Sequence, residues 1–217
     1  ADEECARVLP AVRHAVTLGV PVSVDTSEPR VMQAALEAGA DIVNDVRSLR
    51  RPGALALLAA HGSAGVCLMH MRGEPGGMDT QTDYADVVAE VRDWLAHRLA
   101  EVVAAGVAPR RVVLDPGIGF AKTREQDLAL LRRQHELGAL ARPLLAGWSR
   151  KRTMGTVTGR PVAERLAGSV AAALLAVQHG ARIVRVHDVA ATVDALRLWQ
   201  AVQPQPPVPG NLHDSPP

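Results

Sequence analysis

Apolar positions along the chain alternate between two spacings. Short runs such as 20–24, 41–43, 65–69 and 112–114 are apolar almost throughout, as strands covered on both faces of a parallel sheet are. Two further strands are expected at 143–147 and 182–186, the last interrupted by charge. Between these runs apolar residues recur at helical spacing. Val8, Leu9, Val12 and Val16 mark a helix over 2–18; Val31, Ala35 and Leu36 mark one that Pro29 opens and Gly39 ends. Residues 52–60, 83–105, 161–179 and 189–202 read as helices, and Thr123 caps another that runs through Leu137. Leu131, Leu174 and Leu175 are assigned to the core. Residues 71–82 show no periodicity and read as a long loop, and 203–217, rich in proline, as a disordered tail.

After a leading helix this order is β-α repeated, which calls for parallel strands joined by helical crossovers. The six strands run into Asp25, Asn44, His70, Asp115, Ser149 and His187. Polar groups at every strand's C-terminal end point to a (β/α) barrel with its site on one rim. No G-x-G-x-x-G opens a helix after a strand, which disfavours a dinucleotide-binding sheet. A closed barrel of this kind has eight strands, so the expected fold is an α/β (β/α)8 TIM barrel whose first two βα units lie outside the chain. Residues 1–202 would then be one barrel domain holding strands three to eight.

Composition narrows the function classes. Hydrophobic residues make up 47% of the 217, enough for one substantial core, while aromatics are only 2%. With so few rings, a net charge of +1 and no basic stripe, nucleic acid is not an expected partner. No apolar run approaches a membrane span. Cys5 and Cys67 are too few for a disulfide framework, and Cys67 reads as a buried, reduced thiol of a cytoplasmic protein.

The polar strand ends suggest chemistry. Asp25, Asn44 and Asp115 supply what a planar, donor-rich heterocycle needs: carboxylates accept paired N–H groups, and an amide offers a donor and an acceptor in one plane. Lys151 stands in a Ser149-Arg150-Lys151 turn. In a chain with two lysines and an excess of arginine, a lysine there suggests a site wanting a compact ammonium. Arg185 and His187, alternating about Val186 on a strand, would share a face and hold a diphosphate. Lys122, the other lysine, is taken as a loop or surface residue, and His70 as a structural strand-end histidine.

Six segments occur in order at successive strand ends: Val24 to Pro29, Val43-Asn44-Asp45-Val46, Leu68 to Pro75, Leu114 to Lys122, Gly147 to Lys151, and Arg185 to Val189. This series resembles dihydropteroate synthase, the sulfonamide-targeted enzyme of folate biosynthesis, over almost everything but the tail. The resemblance implies transfer of an alkyl group: 4-aminobenzoate is joined to 6-hydroxymethyl-7,8-dihydropterin diphosphate, with Mg²⁺ present and diphosphate released. It implies that Asp25, Asn44, Asp115 and Lys151 bond the pterin, with Val46, Met69 and Gly147 lining its slot. Phe120, Ser149 and Lys151 would border 4-aminobenzoate, and Arg185 and His187 would hold the diphosphate. Asp25, Asp115 and Lys151 become the catalytic candidates, with Asp25 and Asp115 as buried carboxylates. A homodimer through helices of the late half of the barrel is also implied.

The family's first two strands carry loops resembling Asn-Val-Thr-Pro-Asp-Ser-Phe-Ser-Asp and Glu-Ser-Thr-Arg-Pro-Gly, and neither occurs here. The expected metal ligand, an asparagine, belongs to the first, so no metal ligand is assigned within this chain. The chain by itself is then expected to be inactive or incomplete. Two alternatives stay open: a catalytically silent partner subunit, and a pterin-binding corrinoid methyltransferase domain, which has no use for the Ser-Arg-Lys and Arg-Val-His segments. A metallohydrolase barrel would show a His-x-His pair on an early strand, and none occurs in the chain.

Overall fold

The computed structural model describes residues 1–77 and 80–203, so nearly all of the expected tail lies outside the described residues. Six parallel strands follow in chain order: β1 (Ser23–Asp25), β2 (Ile42–Asp45), β3 (Gly65–Met69), β4 (Val112–Asp115), β5 (Leu145–Ala146) and β6 (Ile183–Val184). β1 to β4 pair consecutively, β5 pairs with β6, and a parallel bridge between Leu114 and Leu144 joins the two groups. The helices are α1 (Asp2–Val16), α2 (Pro29–Glu37), α3 (Ala54–Ala60), α4 (Val87–Ala104), α5 (Arg124–Arg132), α6 (Arg152–Thr158), α7 (Leu166–Gln178) and α8 (Val189–Ala201).

Register sorts the strand residues into two faces. Val24, Val43, Val66 and Val112 stand in one row across four strands, and all four are buried in the hydrophobic core. Burying a side chain of this size is worth about 2 kcal/mol, so this row fixes the sheet to its helices. One residue along, Asp25, Asn44, Cys67 and Val113 form the next row and face the interior of the arc. Two residues further on, Met69 pairs with Asp115 in a second inward layer. A register slip of one residue would turn the carboxylates into the core and the valines out of it, so core burial specifies the polar row.

Among the described residues β1 and β6 do not pair. The sheet nevertheless curls until Arg185, just beyond β6, reaches Asp25 at the end of β1, with Nη1 2.9 Å from Oδ2. An ion pair therefore spans the gap in the arc.

Several expected boundaries move. β6 is only Ile183–Val184, so Arg185 and His187 lie beyond the strand and strand alternation does not align them. The helix expected from Thr123 to Leu137 divides into α5, with a full Thr123/Gln126 capping box, and a 3-10 segment Gln134–Leu140. It breaks where the buried Gln134 turns inward to donate to Ala176 O at 2.8 Å. α4 starts at Val87 because the Asp86 side chain accepts from Val88 N and Ala89 N. α6 was not expected: Arg152–Thr158 contains β-branched residues and a glycine, with no apolar stripe. Leu175 is 44% exposed and not core, because it faces away from the sheet on α7.

Candidate active site

The end of β4 is the best buried part of the site. Asp115 is 4% exposed and its Oδ1 accepts from Gly117 N at 2.7 Å. Burial raises its carboxyl above the ordinary range, while the Gly117 bond and the charges of Arg185 and Lys151 pull it down. The chain can turn so sharply here only through Gly117, whose φ is +70°. A Cβ on it would lie 1.9 Å from His70 O.

Beyond that turn, Lys122 is buried rather than solvated, which corrects the sequence expectation. Its Nζ donates to Gly117 O (3.0 Å) and Phe120 O (2.9 Å) and lies 3.1 Å from His70 Nδ1. The loop after β4 folds over it, and the Gly117 and Phe120 carbonyls, with the His70 ring, supply what a solvated ammonium would draw from water. Burial pushes its pKa down to about 7, with Asp127 and Asp115 opposing. His70 is the structural residue expected, 2% exposed and held neutral, its pKa about 2 through burial and the Lys122 charge.

Asp127 of α5, unremarked in the sequence, ties the loop after β4 to α6. Its Oδ1 accepts from Gly119 N (2.8 Å) and its Oδ2 from Thr153 Oγ1 (2.5 Å). The loop carrying Phe120 is thereby joined to the helix that follows Lys151. Lys151 Nζ lies 4.3 Å from the Phe120 ring centroid, a cation–π contact. Burial lowers the Lys151 pKa, and Asp115 acts against that shift.

Two cavities meet at this rim. The first, about 380 Å³, is the interior of the arc and includes Asp25, Asn44, Cys67, Val113 and Arg185 in its walls. The second, about 540 Å³, is lined by Gly147, Ser149, Arg150, Lys151, Arg185 and His187, among others. Arg185 belongs to both. In the second, Ser149 Oγ lies 2.9 Å from His187 Nδ1 and accepts from His187 N at 3.1 Å. Arg185 and His187 are thus brought to one cavity by the turn after β6. Val46, partly buried in the turn after β2, the buried Met69 and Asp115, and Phe120 are not among the residues lining either cavity.

Asp25 departs from expectation. Its side chain is 51% exposed, because β1 is an edge of the described arc, and it is paired with Arg185. It also accepts from Asn44 Nδ2 at 3.0 Å, which fixes the amide. With its Nδ2 thus engaged, Asn44 keeps its Oδ1 buried and, among the described residues, without a hydrogen-bond partner.

The model of the pterin binding enzyme family matches residues 1–187. Dihydropteroate synthase of Neisseria meningitidis serogroup B is 50% identical over 206 residues, covering 93% of this chain and 72% of that protein. The chain belongs to the dihydropteroate synthase family. Its fold is similar to that of dihydropteroate synthase from Stenotrophomonas maltophilia, solved with imidazole in the active site. The TM-score is 0.90 at 52% identity, over 93% of this chain and 77% of that one. The Xanthomonas albilineans enzyme in complex with 7,8-dihydropteroate gives a TM-score of 0.88 at 48% identity, over 94% of this chain and 74% of that one. The described strands are an arc of the family's (β/α) TIM barrel.

Proposed function

We propose that this protein is a dihydropteroate synthase, joining 4-aminobenzoate to 6-hydroxymethyl-7,8-dihydropterin diphosphate to give 7,8-dihydropteroate and diphosphate. The observation that carries the assignment of the pterin site is the buried, unpartnered Asn44 Oδ1, two strands from the buried Asp115 carboxyl. Unmade hydrogen bonds of this kind are costly, and a flat heterocycle rich in N–H groups would satisfy both acceptors at once.

In this reading the pterin enters the interior cavity against Asn44 and reaches Gly147 and Lys151 of the second cavity, with Asp115, Val46 and Met69, which line neither, completing its slot. Its diphosphate lies over Arg185 and His187, and Ser149, bonded to His187, borders the 4-aminobenzoate site. The bond from the pterin methylene to the diphosphate oxygen breaks, and the electron pair leaves with the diphosphate. The methylene is left cationic and conjugated with the ring. Carboxylates at Asp115 and Asp25 favour that cation, and Arg185 and His187 favour the leaving group. The 4-aminobenzoate, bordered by Phe120 and Lys151, then forms the new C–N bond with its nitrogen lone pair and releases a proton to water.

The described residues of this rim offer Mg²⁺ no donor set of their own. Among the described residues no three His, Cys, Asp or Glu converge on one point. The flanking carboxylates Asp25 and Asp188 are engaged by Arg185 and Arg150. Mg²⁺ is therefore read as arriving with the diphosphate, whose oxygens suit a hard cation.

A homodimer accords with the apolar surface of the late helices. Leu166, Leu175, Val189, Val193, Leu198 and Val202 are all exposed on α7 and α8 or just beyond. No helix among the described residues is long and apolar enough to cross a membrane. Cys5 and Cys67 are both free, which accords with a cytoplasmic setting.

Calorimetric titration with the pterin diphosphate tests the assignment. Wild-type protein is expected to bind one equivalent, and Asn44→Leu, which removes the orphan acceptor, to bind at least about tenfold more weakly. Absence of heat with wild-type protein, or equal affinity in the variant, would refute the pterin site.

A further inference from the structure

Arg150 holds the third position of the tight turn Trp148–Lys151, which a hydrogen bond from Lys151 N to Trp148 O closes at 3.2 Å. Its φ is +59°, a left-handed conformation that glycine or asparagine takes readily and arginine takes at a steric cost. The side chain does not explain this conformation, because it points away to pair with Asp188. The backbone does, and both of its polar groups are held from the start of α7. Arg150 N donates to Ser169 Oγ at 3.0 Å, and that hydroxyl donates onward to Arg165 O at 2.6 Å. The Arg165 guanidinium then returns to the same turn, Nη1 donating to Arg150 O (3.0 Å) and to Lys151 O (3.3 Å).

The surroundings are shaped for this ring of bonds. Ser169 is 3% exposed. Gly155 in α6 leaves room for the guanidinium, since a Cβ there would meet Arg165 Nη2 at 2.2 Å. Arg165 Nε is fixed by Arg160 O at 3.1 Å. Lys151 follows directly as the N-cap of α6, so the direction of its side chain depends on the Arg150 peptide.

We propose that Arg165 and Ser169 are positioning residues: they latch the Arg150 peptide in its left-handed turn and so aim Lys151 at the Phe120 ring. The kinetic importance of the latch rests on the assignment of Lys151 to the substrate site; the latch itself does not. Small displacements of a group that orients substrate are costly to turnover, which gives the arrangement its value.

The two lysines of the chain make the latch observable without any ligand. Protein labelled with ¹³C-lysine gives two side-chain spin systems. Lys151 is the one shifted by the ring current of Phe120, whose centroid lies 4.3 Å from its Nζ. In Ser169→Ala and in Arg165→Met the Lys151 ε-methylene resonances are expected to move toward their random-coil positions, while those of Lys122 stay. The Kd for the pterin diphosphate is expected to rise about tenfold, the scale of one lost hydrogen bond. Arg150→Gly, which holds φ +59° without help, is expected to return the Lys151 resonances when combined with Ser169→Ala. Unchanged Lys151 resonances in both latch variants overturn the proposal, as does a displacement that Arg150→Gly fails to reverse. Absence of pterin diphosphate binding by the wild type instead overturns the role given to Lys151, and the ligand-free resonances still decide the latch.

Discussion

Lys122 Nζ lies 3.1 Å from His70 Nδ1, and both side chains are sealed from water, each 2% exposed. The contact joins the end of β3 to the loop after β4 and closes under the turn that displays Phe120. An ammonium buried in this way is stabilised by the carbonyls of Gly117 and Phe120 and by the imidazole; among the described residues no carboxylate stands at bonding distance.

Replacing Lys122 with methionine keeps the length and removes the donors. Two buried carbonyls then lose a partner, partly offset because no charge remains to be desolvated. A loss of about 2 kcal/mol in urea-measured stability is expected. The freed Phe120 loop should raise KM for 4-aminobenzoate more than KM for the pterin diphosphate, a split that uniform destabilisation would not give.

His70 makes the protein acid-labile. Its pKa is about 2 in the fold against an ordinary 6.5. Between these values the unfolded chain binds a proton that the native protein does not, so stability rises with pH there and falls as pH drops below about 6.5. Asp115 and Asp127, whose pKa values are raised, contribute with the opposite sign nearer the carboxylate range. The limiting slope for one group is about 1.4 kcal/mol per pH unit. His70→Gln keeps an acceptor for Lys122 and does not titrate. Thermal melts from pH 7 to 5 should therefore show a flatter decline in the variant; parallel declines would count against this origin.

Lys151→Arg preserves charge and changes shape. The Lys151 side chain already runs within 3.3 Å of where a Cβ on Gly119 would stand. A planar guanidinium does not fit that channel with the same geometry. Turnover is expected to fall about a hundredfold at unchanged melting temperature. Steady-state formation of 7,8-dihydropteroate, beside a circular dichroism melt, checks both halves.

Leu198 on α8 is 69% exposed. A charge placed in an apolar association surface should abolish association while leaving the monomer folded. Leu198→Glu is expected to sediment at half the mass of the wild type. Equal masses for the two proteins would remove this face from the interface.

The strands were legible because the valine row of β1 to β4 needs only local sequence to reveal itself. The Thr123 cap was legible for the same reason, as were the polar groups at the strand ends. What was not legible depends on distant partners. The burial of Lys122 requires His70, 52 positions earlier. Asp127 became a tie between loop and helix only once Thr153 stood across from it. Asp25 stood out by its residue type, but its exposure follows from its place at the edge of the arc, which a motif does not encode. α6 and the latch on Arg150 were invisible because neither has an apolar period.

The Asp127 tie has a consequence for how this site can change. Gly119 and Thr153 hang from one carboxylate, so the aromatic wall and the lysine opposite it behave as the two jaws of a single gauge. In the proposed 4-aminobenzoate site, an aromatic acid would lie against both side chains at once, beside their 4.3 Å contact. A substitution that opens one jaw to admit or reject a bulkier analogue shifts the other as well. For the proposed 4-aminobenzoate site, discrimination among ring-substituted competitors is then expected to be a property of the pair, with selection acting at Phe120 felt at Lys151.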